Sequence, residues 1–262
     1  MTGRKLSLAA WSLHRAFFAK EIDLLGMVDA CAELDLRGFE MVNVFFPAPT
    51  QGYLKQLRQR AADQDVRLLL IMCDDEGSMA APERERRLKA AKNHHKWIDI
   101  AADLGCHAIR CNTGARPGDN DALERCVESF GALLEYADAA GVDVLLENHW
   151  GLSSDPDWLM SLVDRVNHPR FGTLPDLGNF PPETDRYEAV RKMMRRAKAV
   201  SAKCYDFDDA GNETMIDFER MLRIVDEAAY DGWIGIEYEG ERLPEREGIL
   251  ACKRLLERLA RP

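Results

Sequence analysis

The amino-acid sequence predicts an α/β fold, a closed (β/α)8 TIM barrel that forms one domain over residues 1–262. Eight short apolar runs that suit β-strands recur along the chain, and segments with helical periodicity separate them. The runs begin about 30–40 residues apart, which is the length of one βα unit. Because no linker rich in proline, glycine or serine divides the chain, we expect a single domain.

Each of the eight apolar runs is short enough to be one strand. They lie at residues 6–13, 38–44, 66–73, 107–112, 142–148, 171–176, 199–205 and 233–239. A doubly wound open sheet is the alternative fold, but it needs fewer strands and usually has a glycine-rich loop after the first. The segment after the first run reads SLHRAFFAK and contains no glycine, which favours the barrel.

Helical segments follow the predicted strands. Apolar residues from 22 to 34 approximate one face of a helix, and a later stripe ends at Gly141, which suits a left-handed helix cap. The pair His94 and His95 lies within another helical segment. Adjacent helical side chains point apart, so this pair indicates a solvated helix face and not a metal site.

Charge and cysteine content restrict the classes of partner. The net charge of −10 predicts repulsion from nucleic acids and anionic membranes, so we expect neither as a partner. The seven cysteines contain no C-x-x-C pair, which favours reduced, buried thiols and a cytoplasmic protein. The apolar stretch from Leu6 to Leu13 is too short to span a membrane.

Polar side chains collect where the predicted strands end, and barrel enzymes carry out their chemistry at these ends. Three strands end in acids, which are Glu147, Asp176 and Glu237. Two other strands carry pairs of polar residues that share a face because they are two positions apart. These pairs are Arg110 with Asn112 and Ser201 with Lys203.

Three carboxylates at one barrel mouth would repel one another and raise the pKa of at least one of them. A divalent cation would remove this repulsion, and oxygen ligands favour Mg²⁺ or Mn²⁺. The alternative is that each acid caps a helix or pairs with an arginine. That arrangement is common for a single acid at a βα junction but less so for three together.

Four motifs occur in order along the second half of the chain, namely LLENHWG, DLGNF, DFDDAGNETMIDFERML and GIEYEGERLPEREGI. Together they resemble the sugar phosphate isomerase/epimerase family of xylose isomerase-like TIM barrels. That group includes tagatose-type epimerases, hydroxypyruvate isomerases, inosose dehydratases and endonuclease IV. The resemblance extends over essentially the whole chain and indicates the superfamily without specifying one substrate.

The resemblance implies that Glu147, Asp176 and Glu237 bind a divalent metal, Mn²⁺ or Mg²⁺, with Co²⁺ or Zn²⁺ as alternatives. The family usually supplies a fourth ligand from a histidine on the seventh strand, in a pattern like H-x-K-D. Ser201 stands at that position here, while Lys203 is kept. A weakly ligating serine hydroxyl, a water in its place, or loss of the metal are the three alternatives.

The resemblance also implies proton abstraction beside the carbonyl of a small carbohydrate, through an enediolate. We hypothesise that Glu147, Glu237 and Lys203 are catalytic. Substrate-binding roles fall to polar and aromatic residues near the strand ends, namely His14, Arg110, Asn112, His149, Trp150 and Asn179. Alternatively, Trp150 packs in the core and His14 is a solvent-exposed loop residue.

Three functions compete. The first is isomerisation or epimerisation of an unphosphorylated carbohydrate, since the acid-rich loops after strands seven and eight disfavour phosphate. The second is a lyase or hydratase that acts on keto-sugars or 3-keto-glycosides with the same metal and base. The third is a non-catalytic sugar-binding barrel. The pair Phe17 and Phe18 fits either a pocket wall or a contact within a homo-oligomer.

Overall fold

Eight parallel strands form the inner layer of the protein, which a computed structural model describes over residues 4–260. They are β1 (Lys5–Ala9), β2 (Gly38–Val42), β3 (Arg67–Cys73), β4 (Ala108–Cys111), β5 (Asp143–Glu147), β6 (Phe171–Leu174), β7 (Val200–Cys204) and β8 (Trp233–Tyr238). All eight predicted strands are confirmed. The predicted outer limits of the domain, residues 1 and 262, lie outside the described residues.

The sheet closes on itself. Its order is β6-β5-β4-β3-β2-β1-β8-β7, so β1 pairs with β8 and the two ends of the order are β6 and β7. These ends meet through parallel bridges, where Ser201 N donates to Pro175 O at 2.9 Å and Lys198 N donates to Thr173 O at 2.9 Å. Closure leaves no free sheet edge and confirms the predicted barrel.

An outer layer of helices covers the barrel. Residues 4–260 contain α1 (His14–Phe18), α2 (Leu24–Glu33), α3 (Gln51–Asp63), α4 (Arg84–Asn93), α5 (His95–Leu104), α6 (Ala122–Ala140), α7 (Pro156–Val166), α8 (Arg186–Met193), α9 (Phe218–Glu227) and α10 (Glu245–Arg258). Gly141 ends α6 with φ of 74°, as predicted. At the start of α7, the Asp155 side chain accepts hydrogen bonds from two backbone N–H groups.

Two segments differ from their predicted structure. Strand β1 stops at Ala9, and residues 10–13 form a 3₁₀ turn, because Ser12 Oγ bonds to Ile236 O and accepts from Tyr238 N in β8. The helix predicted around His94 is divided there into α4 and α5. His94 is buried and its Nδ1 lies 2.8 Å from Ala90 O, so the solvated role predicted for it is wrong.

Two expectations about thiols and membranes concern the same described region. Each of the seven cysteines is buried, and none of them forms a disulfide within residues 4–260. No helix in that range is long and apolar enough to cross a membrane.

One acidic side chain lies in the barrel interior below the mouth. Glu40 on β2 is 1% exposed, and its Oε1 accepts a hydrogen bond from Ser7 Oγ at 2.6 Å. Its Oε2 has no hydrogen-bond partner in the described structure. Burial raises the pKa of Glu40 to about 7, and the charge on Glu237 adds to this rise. The interior therefore favours the protonated form of Glu40.

We expect Glu40→Gln to stabilise the protein more as the pH rises. A carboxyl whose pKa is raised by folding loses stability as the pH rises from the unfolded-state pKa through the folded-state pKa. The neutral amide avoids that loss, so the stability gain of the variant at pH 8 should exceed its gain at pH 5 by about 2 kcal/mol. Urea denaturation with EDTA present measures both values.

Glu241→Gln is the matched control, because Glu241 is an exposed acid. Its effect on unfolding free energy should not change with pH in this way. Equal effects of Glu40→Gln at pH 5 and pH 8 would contradict the assignment of a protonated Glu40.

Candidate active site

Three carboxylates lie at the C-terminal ends of barrel strands. Glu147 is the last residue of β5, Glu237 lies near the end of β8, and Asp176 follows β6. Each is almost completely buried, with exposed fractions of 4%, 5% and 0% respectively. The closed barrel therefore brings together the three acids that the strand ends predict.

Glu147 is paired with an arginine. Arg110 Nε, on the neighbouring strand β4, lies 2.9 Å from Glu147 Oε2 in an ion pair without hydrogen-bond alignment. Arg110 Nη1 also donates to Asp74 Oδ1 at 2.7 Å. Asn179 Nδ2 donates to the other oxygen, Glu147 Oε1, at 3.2 Å. One buried guanidinium thus bridges two carboxylates, while Glu147 Oε2 keeps an unused acceptor position.

Lys203 supplies the second buried cation. Its Nζ lies 2.7 Å from Glu237 Oε1 and 3.3 Å from Glu239 Oε1. Asp176 Oδ2 lies farther from it, at 4.0 Å. Although burial opposes its charge, Glu237 and Asp176 raise the pKa of Lys203 above its ordinary value. The lysine is therefore a fixed positive charge at the barrel mouth.

Ser201 lies between two of the acids. Its Oγ donates to Asp176 Oδ2 at 2.8 Å and lies 3.4 Å from Glu237 Oε2. The other oxygen of Asp176 accepts the backbone N–H groups of Gly178 and Asn179 at 2.7 and 2.8 Å. These bonds fix the orientation of Asp176 and direct its Oδ2 toward Ser201.

A hydrogen-bond chain fixes the orientation of His149. Asn112 Nδ2 donates to Asp74 Oδ1 at 2.8 Å, so its Oδ1 faces His149 Nδ1 at 3.0 Å. Since that amide oxygen can only accept, Nδ1 carries the proton and Nε2 is left as an acceptor. Burial and the charge on Arg110 lower the pKa of His149 to about 4, which keeps the imidazole neutral.

The three acids respond differently to their surroundings. Burial raises the pKa of Glu147 to about 8, with Arg110 opposing the rise and Asp176 adding to it. Burial likewise raises the pKa of Asp176 to about 6, against the effect of Lys203. Burial also disfavours the ionised form of Glu237, yet Lys203 holds the pKa of Glu237 below its usual value. Negative charge is thus less fully compensated at Glu147 and Asp176.

Two of the predicted substrate-binding residues are described by contacts with aromatic neighbours and not with the carboxylates. His14 belongs to an aromatic cluster, where it stacks on Trp11 at 5.0 Å and its Nδ1 lies 2.7 Å from Trp11 O. Trp150 lies at the rim, 78% exposed, with its ring 5.4 Å from that of His149. The exposure of Trp150 rules out the alternative of core packing.

Two acids of this network are not among the predicted site residues. Asp74 directly follows β3 and contacts both Arg110 and Asn112. Glu239 follows β8 and contacts Lys203. The rule that polar residues at strand ends are functional candidates would have found both, because each comes within one residue of a strand's last residue.

The donor set matches a divalent cation in chemistry but is not gathered around one point. Within residues 4–260, no group of three acidic, histidine or cysteine side chains is arranged as a metal site. Glu147 Oε2 is a buried oxygen without a hydrogen-bond partner, and Asp176 Oδ2 and Glu237 Oε2 both face Ser201 Oγ. These oxygens are the hard ligands that Mg²⁺ and Mn²⁺ prefer.

Comparisons with known proteins find sugar isomerases and epimerases as relatives and structural neighbours. A protein of Streptomyces coelicolor named as a candidate hydroxypyruvate isomerase is 26% identical over 254 residues, covering 82% of this chain and 86% of its own length. The structure of a D-tagatose 3-epimerase-like protein superposes with a TM-score of 0.80 at 18% identity, covering 97% of this chain and 96% of the other.

A 3-keto-D-glucoside 4-epimerase from E. coli superposes with a TM-score of 0.76 at 15% identity and covers 97% of this chain and 98% of its own. At these identities the structural likenesses establish the fold alone. The sequence profile of the xylose isomerase-like TIM barrel family matches residues 28–259, which is most of the chain. The protein therefore belongs to the xylose isomerase-like TIM barrel family.

Proposed function

We propose that the protein is an enzyme of the sugar isomerase and epimerase type, acting on a small, unphosphorylated carbohydrate. The observation that carries this proposal is a pair of buried glutamates at one barrel mouth, each beside its own cation. Glu147 contacts Arg110 at 2.9 Å, and Glu237 contacts Lys203 at 2.7 Å. The names of the relatives, an isomerase and two epimerases, agree with this class.

The two glutamates suit the two halves of a proton transfer. In the proposed reaction, one removes the proton from the carbon beside the substrate carbonyl, and an enediolate results. Return of a proton to the opposite face gives epimerisation, and return to the neighbouring carbon gives isomerisation. Lys203 and Arg110 offset the negative charge that develops on the substrate oxygens. His149 Nε2 accepts a hydrogen bond from a substrate hydroxyl, and Asn112 and Asn179 bind neighbouring groups of the substrate.

We further propose that Glu147, Asp176 and Glu237 hold a divalent ion, Mn²⁺ or Mg²⁺, with Ser201 Oγ as a weak neutral ligand. Support comes from Glu147 Oε2, which is buried and accepts no hydrogen bond, and from the raised pKa values of Glu147 and Asp176. When bound, such an ion polarises the carbonyl and acidifies the adjacent C–H group. A cytoplasmic location is proposed as well, since the seven cysteines are buried thiols.

Glu147→Gln and Glu237→Gln should each reduce proton exchange by about 10²–10⁴-fold, because general acid–base groups contribute on that scale. The measurement is deuterium uptake from D₂O into ketoses and 3-keto-glycosides, followed by NMR with Mn²⁺ present. Glu241→Gln, an exposed acid, is the control and should exchange at the wild-type rate.

An active Glu147→Gln variant would contradict the assignment of Glu147. If the substrate loses a leaving group, and does not simply exchange its proton, the reaction is an elimination that uses the same base and not an isomerisation.

The metal proposal has a readout that does not depend on activity. Mn²⁺ titration followed by electron paramagnetic resonance should give one bound ion per chain. Asp176→Asn should weaken its affinity at least tenfold by removing a charged ligand, while Ser201→His should strengthen it, because imidazole is a better ligand than a hydroxyl. Unchanged affinity in Asp176→Asn would refute this ligand set.

Gly178→Ala tests the role of the Lys203 ammonium. A Cβ at Gly178 would lie 2.7 Å from Lys203 Cγ, so the lysine stem must shift from the position in which its ammonium contacts Glu237. We expect the proton-exchange rate to fall at least tenfold, as in Lys203→Met. The circular dichroism spectrum should show that the fold is retained.

Gly131→Ala is the matched control, since a Cβ placed there would meet no atom within 4 Å beyond its chain neighbours and the adjacent backbone of its own helix. This helical substitution should leave the exchange rate unchanged and stabilise the protein slightly. A Gly178→Ala variant with wild-type activity would show that the position of Lys203 is not critical.

A further inference from the structure

A cavity opens beside the network of the carboxylates. It encloses about 580 Å³ between the segments that follow β3, β4 and β5. Its lining includes Glu76, Ser78, Asn112, Arg116, His149 and Trp150. The lining residue His149 contacts Asn112, which shares Asp74 with Arg110, so the cavity adjoins the proposed site of proton transfer.

The backbone at Trp150 is unusual. Its φ of 60° and ψ of 150° lie in a region that bulky residues rarely adopt, and 78% of the residue is exposed. The next residue, Gly151, also has positive φ, and a Cβ there would lie 2.2 Å from Ala115 O. Leu152 N donates to the same oxygen at 3.1 Å and so holds this turn.

The strained backbone presents the indole ring to solvent, where its only ring contact among the described residues is the edge contact with His149. Such conformations cluster at ligand sites, where the surrounding structure maintains them. Asp75, with φ of 61°, and Gly77 and Gly114, with φ of 99° and 68°, line the same cavity. Its wall is therefore built from tight turns, and the ring of Trp150 stands at its rim as an open aromatic face.

The chemistry of the lining narrows the class of ligand. His149 presents Nε2 as an acceptor, because Asn112 engages Nδ1 at 3.0 Å. Ser78 and Asn112 add neutral polar groups. The charged lining residues carry both signs, Asp75 and Glu76 against Arg116, so the wall selects for neither sign of charge; Glu76 is also paired with Lys96 at 2.8 Å. An exposed aromatic face together with neutral polar groups suits a ring with apolar C–H faces and hydroxyl edges.

We propose that this cavity binds a second sugar ring, so that the preferred substrate is a two-ring keto-glycoside. One ring of the substrate would lie at the carboxylates and the other against Trp150, with a hydroxyl on His149 Nε2. The identity of the reacting ring rests on the proposed function, but the existence of the second subsite does not.

Binding measurements can test the subsite without catalysis. Calorimetry on Glu147→Gln would compare a methyl 3-keto-glucoside with 3-keto-disaccharides of α and β linkage. We expect at least one disaccharide to bind ten times more tightly than the methyl glycoside. Trp150→Ala should remove most of this preference, about tenfold, as loss of an aromatic contact predicts, and Trp150→Phe should restore it.

Met215→Ala is the matched control, because Met215 is also a large exposed apolar residue, at 63% exposure, and lies outside the cavity lining. It should leave both affinities unchanged. Equal affinity for one-ring and two-ring probes, or an equal loss of both in Trp150→Ala, would overturn the subsite. Preserved two-ring preference in a protein that exchanges no substrate protons would instead overturn the proposed function.

Discussion

The buried ion pair between Lys203 and Glu237 is the constraint on which the barrel mouth depends. An ammonium ion can stay at 3% exposure only if carboxylates replace the water it has lost, and Glu237 does so at 2.7 Å. Removal of Lys203 would leave the Glu237 carboxylate buried without its cation, which costs more than the intact pair contributes. The lysine stem also needs the space that Gly178 leaves free. The half-buried Gly178 and the buried Lys203 are thus one structural unit.

A second cation connects the proposed chemistry to the adjacent cavity. Arg110 contacts Glu147 on one side and Asp74 on the other, and Asp74 orients Asn112, which orients His149. Each link is fixed because a carboxylate can only accept, a guanidinium can only donate, and an amide must then turn its oxygen outward. The tautomer of His149 therefore depends on the charge of Arg110, which reaches it through Asp74 and Asn112. Substitution of Asp74 should therefore alter the surroundings of both Glu147 and the His149 imidazole.

The fold was predictable because buried parallel strands appear as continuous apolar runs, and all eight were recognised. The three acids were predictable for the same reason, since each stands where such a run ends. Contacts between elements were not predictable from pattern. The turn at residues 10–13 depends on Ser12 bonding to β8, and the break at His94 depends on burial against neighbouring elements. Glu40 lies inside an apolar run, and a strand pattern does not tell which partner, here Ser7, accompanies a buried acid.

The resemblance implies a histidine ligand where Ser201 stands, and a serine in its place would change ligand strength but not charge, because imidazole binds metals in its neutral form. The contact network around the mouth joins five carboxylates to two cations, which are Asp74, Glu147, Asp176, Glu237 and Glu239 with Arg110 and Lys203. Three negative charges would remain if all the acids were ionised. Bound protons neutralise part of this excess negative charge, as the raised pKa values of Glu147 and Asp176 indicate. A divalent ion would compete with these protons, so its binding should release protons and strengthen as the pH rises.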